Sequence, residues 1–256
     1  MNQAIIGGTG VYKLFDDKES VTVETKYGPA EVDLVRIDGF QFVFLPRHGR
    51  SHSVPPHRIN YRANIQALKD LGIRFIYATA AVGSCSERFE PGDIVVLRDF
   101  LDFTKSRPST FFEQGDEVRH IPMDEPYCPR LTEDFLETAR DHRLWVKGSA
   151  VYVCTEGPRF ETAAEIRMYS RMGGEVVGMT SVPEVVLANE AGICYASVGI
   201  VTNMCTGMSD HASTLKDVQT AMSASRSSIL RCCVDTFKRP MTRACRDTGP
   251  SPESER

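Results

Sequence analysis

No apolar run in this chain is long enough to span a membrane, and its opening residues, MNQAIIGGTG, lack the basic start and long apolar stretch of a secretion signal. Both absences point to a cytoplasmic protein with no membrane partner. Positive charge is not in excess either, since 30 Lys and Arg stand against 34 Asp and Glu, a formal net charge of -4. Nothing global draws the chain to nucleic acid, so any anion site must be local. Internal repeats are missing, and no Pro/Gly/Ser-rich linker precedes residue 237. The 256 residues therefore read as one domain over 1–237 and a polar, disordered tail over 238–256. The eight cysteines form no C-x-x-C pair, and several sit inside strand-like or helix-like runs, so buried reduced thiols fit better than a disulfide framework.

What is present is alternation. AIIGG, FQFVFLPRHG, IRFIYATAAVGS, GDIVVLRDFLDF, GSAVYVCTEGPRF, EVVGMTS and ICYASVGIVTN read as strands. Between them, helical spacing predicts helices over Arg58–Leu71, over RLTEDFLETARDH, from Glu161 to about Met172, over VPEVVLANEAG and near Leu215–Phe237. Strand and helix in turn predict an α/β domain, a twisted mixed β-sheet flanked by helices. In such sheets ligands collect beyond the carboxyl ends of the strands.

Those ends carry the chemistry. GGTG, with Thr9, is either a plain tight turn or a backbone cradle for an anion; it is no Walker loop, since no G-K-[ST] follows. The next strand runs into Arg47, His48, Arg50, His52, His57 and Arg58. Gly49, Pro55 and Pro56 break any helix that would align the three histidines, and no H-E-x-x-H occurs, so no metal site is expected. Arginines at a strand end suit a phosphate or carboxylate, against the alternative of a solvated basic loop. Further along stand Glu156, Arg159, Phe160 and Glu161, then Met179, Thr180 and Glu184. An aromatic, a thioether, a hydroxyl and carboxylates suit a flat heterocycle bearing a sugar; Phe160 and Met179 as core residues and Glu161 as a helix opener are the alternatives. One strand ends abruptly in an amide, Asn203, with Cys205 two residues on.

In combination and order, GGTG, LPRHGR, PPHRINYRANIQALKDLG, AVGS, PGDIVV, HIPMDEPYCP, TEGPRFET and VVGMTSVPEVVLANEAGICYA resemble the trimeric purine nucleoside phosphorylases, in the branch that includes 5'-methylthioadenosine phosphorylase. The resemblance covers about Ala4 to Phe237 and implies a nucleoside-phosphorylase-like fold. It implies that inorganic phosphate, a co-substrate rather than a cofactor, attacks the sugar C1' and displaces the purine. It also implies that Thr9, Arg47, His48, Ala80, Ala81 and Thr180 hold the phosphate; a threonine stands at Ala80 in methylthioadenosine-cleaving relatives. Met179 would meet the sugar, Phe160 the base, and Glu161, Asn203 and Cys205 the purine edge. Asn203 and His48 would be the catalytic pair, the amide donating to N7 as charge gathers there.

Adenine-specific relatives carry aspartates at positions 203 and 205; asparagine with glutamate at 161 is the 6-oxopurine pattern. The expected activity is phosphorolysis of 6-oxopurine nucleosides, inosine and guanosine or S-methyl-5'-thioinosine. The alternatives are an S-methyl-5'-thioadenosine phosphorylase and a non-catalytic purine-binding protein. Leu215, or His211, would meet the sugar's 5' group, an apolar Leu215 pointing to methylthioinosine. His120 would reach in from a neighbouring subunit of a homo-oligomer, a trimer or a hexamer built of trimers.

Overall fold

In a computed structural model, which describes residues 1–8, 15, 17–51, 53–113, 118–209 and 215–239, with side chains of the final helix from residue 225 onward, the apolar strands stack into a nine-stranded mixed sheet. Its strands are β1 (Gln3–Gly7), β2 (Lys18–Thr25), β3 (Gly28–Ile37), β4 (Phe40–Pro46), β5 (Phe75–Ser84), β6 (Ile94–Phe103), β7 (Gly148–Thr155), β8 (Val176–Gly178) and β9 (Cys194–Met204). The helices are α1 (Tyr61–Asp70), α2 (Pro129–Asp141), α3 (Ala163–Arg171), α4 (Ser181–Glu190) and α5 (Leu215–Phe237). No helix among the described residues is long and apolar enough to cross a membrane.

The unbroken apolar runs follow from burial on both faces. Alternate residues of one strand serve different cores: Ile6, Val43, Leu45 and Ile76 pack with Ile65, Leu68, Val185 and Leu187, which lie on α1 and α4. Ile5, Phe42, Phe44, Phe75 and Tyr77 pack on the opposite face with Leu131, Phe135, Ile229, Cys233 and Phe237, from α2 and α5. β1, β4, β5 and β9 run parallel, and β5, β8, β7, β6 and β9 follow one another until β9 pairs back onto β5. Part of the expected sheet therefore closes into a barrel.

Three boundaries differ from expectation. The β2–β3 hairpin does not stand out in the sequence, because β2 exposes alternate residues of KESVTVET to solvent. Its turn depends on Gly28, whose φ of 107° favours glycine. The helix expected from Arg58 opens as a 3-10 turn at Pro56–Arg58, and α1 starts at Tyr61, capped by Asn60 Oδ1 accepting from Ala63 N at 3.1 Å. The helix expected from Glu161 begins two residues later, behind a Thr162/Glu165 capping box, which leaves Glu161 outside the helix. Cys85, Cys154, Cys194, Cys205, Cys232 and Cys233 are in no disulfide and are buried, as expected, whereas Cys128 is disulfide-bonded.

Candidate active site

The parallel strands β1, β4, β5 and β9 deliver their carboxyl ends to one side of the sheet. β8 runs antiparallel to β5 there, with Val177 opposite Gly83. A cavity of about 870 Å³ opens at this crossing and is lined by Gly8, Arg47, His48, Ala80, Ala81, Gly83, Phe160, Glu161, Met179, Thr180, Asn203 and Cys205, among others. Residues scattered over nearly the whole chain thus meet in one space. Of the described basic residues in that loop, Arg47 and His48 line it; Arg50 turns to Asp33 at 3.1 Å and Arg58 is exposed, while His52 lies outside the described residues.

Arg47 is 3% exposed and is not a loose charge. Its Nε and Nη2 donate to the two carboxylate oxygens of Glu184 at 2.6 and 2.7 Å, and its Nη1 donates to Thr79 O at 2.9 Å. Burial pulls the Arg47 pKa down, but Glu184's charge and hydrogen bonds outweigh it and hold the guanidinium above its ordinary value. Tyr195, its own pKa raised by burial and by Glu184, keeps its proton and donates to Glu184 Oε1 at 2.7 Å. Glu184 is the residue the sequence did not mark as Arg47's partner: it lies 137 residues away and has no side-chain exposure. A net neutral, fixed pair results, so an anion seated here needs further donors. His48 supplies a ring whose Nδ1 lies 2.8 Å from Val54 O; a carbonyl only accepts, so that nitrogen carries the proton. Thr180 lies beside it in the wall, its backbone N–H held by Tyr152 Oη at 3.1 Å.

The abrupt amide has a structural origin. Val82 pairs with Val201 but Gly83 with Asn203, so the register slips by one residue and Thr202 is left over. Such a bulge re-aims the side chains that follow it. Asn203 Nδ2 donates to Met204 O at 3.0 Å, and Asn203 Oδ1 accepts from Thr202 Oγ1 at 2.8 Å. The carbonyl requires a donor opposite it, which fixes the amide's orientation and leaves the second Nδ2 hydrogen for a ligand. Opposite stands Gly83, where a Cβ would come within 2.8 Å of Cys205 Sγ and 3.2 Å of Asn203 Nδ2. A side chain there would displace both. Burial, with Cys85 and Glu161 nearby, pushes the Cys205 thiol far up, so it presents a neutral S–H where a carboxylate would repel Glu161.

Glu161 Oε1 accepts from Thr155 Oγ1 at 2.6 Å, leaving Oε2 for another donor. Phe160, 52% exposed, forms an apolar rim. Met179 packs on Gly157, where a Cβ would lie 2.5 Å from its Sδ. One predicted site residue is not brought to the cavity: His120 is exposed and lines no part of it. Thr9, His211 and the Leu215 side chain lie outside the described residues. Among the described residues no group of three or more His, Cys, Asp or Glu is placed to hold a metal ion.

The arrangement sets a guanidinium, an imidazole and a hydroxyl in the same wall as an amphipathic slot that carries Phe160, Met179, one fixed N–H donor and one carboxylate acceptor. Known proteins share this frame. The phosphorylase superfamily model matches residues 3–238. The chain is 53% identical over 214 residues to a probable 6-oxopurine nucleoside phosphorylase of Moorella thermoacetica, covering 82% of each chain. It is 50% identical over 215 residues to a probable S-methyl-5'-thioinosine phosphorylase of Methanopyrus kandleri, covering 84% of this chain and 83% of that one. Methylthioadenosine phosphorylase from Schistosoma mansoni in complex with tubercidin superposes with a TM-score of 0.85 at 35% identity, over 93% of this chain and 92% of that one. A family match running from the first strand to the last helix, with 53% identity to one relative over 214 aligned residues, means that the chain belongs to the phosphorylase superfamily.

Proposed function

We propose that this chain is a purine nucleoside phosphorylase of 6-oxopurine type, which uses inorganic phosphate to cleave inosine, guanosine or S-methyl-5'-thioinosine into free base and the ribose 1-phosphate or its methylthio analogue. The observation that carries this reading is the donor and acceptor pair in the slot. Asn203 keeps one N–H for an acceptor, and Glu161, tied at one oxygen by Thr155, keeps the other for a donor. Hypoxanthine and guanine present an N7 acceptor and an N1–H donor in that order. Adenine N1 is itself an acceptor and would face a carboxylate lone pair.

The chemistry follows from the frame. Phosphate held near Arg47, His48, Ala80, Ala81 and Thr180 would be positioned against C1', and its negative charge would stabilise the oxocarbenium-like sugar that forms as the glycosidic bond stretches. The departing purine gathers charge at N7, where the Asn203 hydrogen bond strengthens in the transition state and so lowers the barrier. Met179 would floor the sugar and Phe160 would cover the base. Neutral Cys205, near the same pair, leaves Glu161 as the carboxylate that reads the purine. No residue in this scheme requires a cofactor.

The test is a kinetic panel of inosine, guanosine, S-methyl-5'-thioinosine, adenosine and S-methyl-5'-thioadenosine, with and without phosphate. Phosphate-dependent release of hypoxanthine or guanine is expected, well ahead of adenine; adenine released as fast as hypoxanthine would replace this reading with an S-methyl-5'-thioadenosine phosphorylase. Glu161→Gln extends the panel. Because the Thr155 hydroxyl would donate to the glutamine carbonyl, the Nε2 hydrogens would point at N1, and the ratio of 6-oxo to 6-amino turnover should fall about a hundredfold. A preserved ratio would remove Glu161 from base selection.

We infer further that the chain works as a homo-oligomer, a trimer or a hexamer built of trimers. The exposure of His120 away from its own cavity, and the half-open Phe160 rim, support a site finished by a neighbouring copy. Light scattering should give at least three times the mass of one chain; a monomer that turns over at full rate would overturn the inference.

A further inference from the structure

Arg107 lies on no strand or helix and follows β6 within the polar stretch TKSRPST, with nothing in its surroundings in sequence to mark it. Yet its guanidinium is almost wholly buried, with 1% side-chain exposure. Nη2 donates to Thr155 O at 3.1 Å and Glu156 O at 2.7 Å, both at the carboxyl end of β7. Nη1 donates to Met179 O at 2.8 Å and Val182 O at 2.7 Å, which follow β8, and to Tyr61 Oη at 3.1 Å. Its charge is met by Glu156 Oε2, 3.3 Å from Nε, while the other Glu156 oxygen accepts from Ser106 Oγ at 3.0 Å. One side chain thus bridges four backbone carbonyls, two at the carboxyl end of β7 and two between β8 and the first turn of α4, a geometry that the rigid fork of a guanidinium supports and a lysine does not.

Those two loops carry the nucleoside half of the cavity. The β7 loop continues into Phe160 and Glu161, and Thr155, whose carbonyl Arg107 holds, also donates its hydroxyl to Glu161. The β8 loop carries Met179, which rests on Gly157 of the first loop. The phosphate half has other anchors: Arg47 is fixed by Glu184 and Thr79 O, and the Thr180 N–H by Tyr152.

We propose that Arg107 is a positioning residue that sets the nucleoside-reading segments, Phe160–Glu161 and Met179, in register with each other, while Arg47 and His48 on the phosphate side keep anchors of their own. This rests on the phosphorylase reading above. A displacement of about 1 Å between two such loops is enough to cost roughly a hundredfold in rate.

The experiment begins with wild-type hypoxanthine release, since its absence would sink the phosphorylase reading and not the clamp. With that in hand, Arg107→Ala is expected to lower kcat/KM for the preferred nucleoside about a hundredfold while KM for phosphate stays within about threefold. Added guanidinium ion, which refits the vacated fork site, should restore part of the lost turnover; a methylammonium ion of equal charge should not. If Arg107→Ala does not fold, Arg107→Lys decides by the same division, because one ammonium can serve only one of the two loops. Equal losses in KM for nucleoside and phosphate, or no recovery with guanidinium in a soluble Arg107→Ala protein, would reduce Arg107 to a general structural group and overturn the proposal.

Discussion

Glu184→Gln is expected to lower the melting temperature by roughly 10 °C, because it strands the Arg47 guanidinium in the protein interior without its charge partner. Removing one member of a buried ion pair costs about 3–5 kcal/mol, and in a chain of this size each kcal/mol moves the melting temperature by about 2–4 °C. The pair is well suited to such a loss. Both carboxylate oxygens are engaged by Arg47, neither side chain exceeds 1% exposure, and Tyr195 donates to the same carboxylate. In either orientation the glutamine amide would also set an N–H against a guanidinium N–H, because Arg47 donates to both carboxylate oxygens. Arg47 faces the cavity, however, and an anion bound there can replace the lost carboxylate. Phosphate should therefore raise the melting temperature of Glu184→Gln by more than it raises that of the wild type, through ligand linkage. The double variant Arg47→Met with Glu184→Leu should be more stable than either single replacement, since no charge is then left unpaired. Thermal scans over a phosphate series read all three. A single variant no less stable than wild type, and indifferent to phosphate, would show that Arg47 is neither held by Glu184 nor near the anion.

Much of this frame is legible without coordinates, and what is not has specific causes. The unbroken runs AIIG and FVFLP identify strands covered on both faces, and the residues just past their ends do line the cavity. Arg47, His48, Phe160, Glu161, Met179, Thr180 and Asn203 stand out by their chemistry at predicted strand ends, and the fold brings them together. Pairings across long separations were invisible. Glu184 reads as an acidic residue opening a helix, and only the fold, which brings α4 to the residue that follows β4, turns it into the counter-ion of Arg47. Arg107 reads as one more cation in a polar loop, because its partners are backbone carbonyls, which have no sequence signature. The hairpin of β2 and β3 hides behind its exposed face, and barrel closure depends on β9 pairing with both β5 and β6, which no single strand announces. The bulge at Gly83 and Asn203 belongs to the same class. It arises from the mismatch between two strands more than a hundred residues apart, and it decides where the amide points.

That amide carries the prediction with the largest expected effect on catalysis. Asn203→Leu keeps the volume and deletes the donor proposed for N7, so kcat for a 6-oxopurine nucleoside should fall about 10²–10³-fold, as when a transition-state hydrogen-bond donor is lost, with little change in the choice of base. Asn203→Asp should behave differently. The wild-type Nδ2 donates to Met204 O at 3.0 Å, so an ionised carboxylate at this position sets two acceptors against each other. The new acid should then hold its proton to a higher pH than a solvated aspartate would. Where it is protonated it can donate, and where it is ionised it repels the 6-oxo oxygen and accepts from a 6-amino group. The sign follows: 6-oxopurine turnover by Asn203→Asp rises as the pH is lowered through the acid's pKa, while the ratio of 6-amino to 6-oxo turnover rises as the pH is raised. Neither the wild type nor Asn203→Leu has a titrating group at this position, so neither should show that opposed pair of profiles. Parallel profiles in all three proteins, or an unchanged base ratio in Asn203→Asp, would mean that the amide ending β9 does not select the purine, and that the choice rests on Glu161 alone.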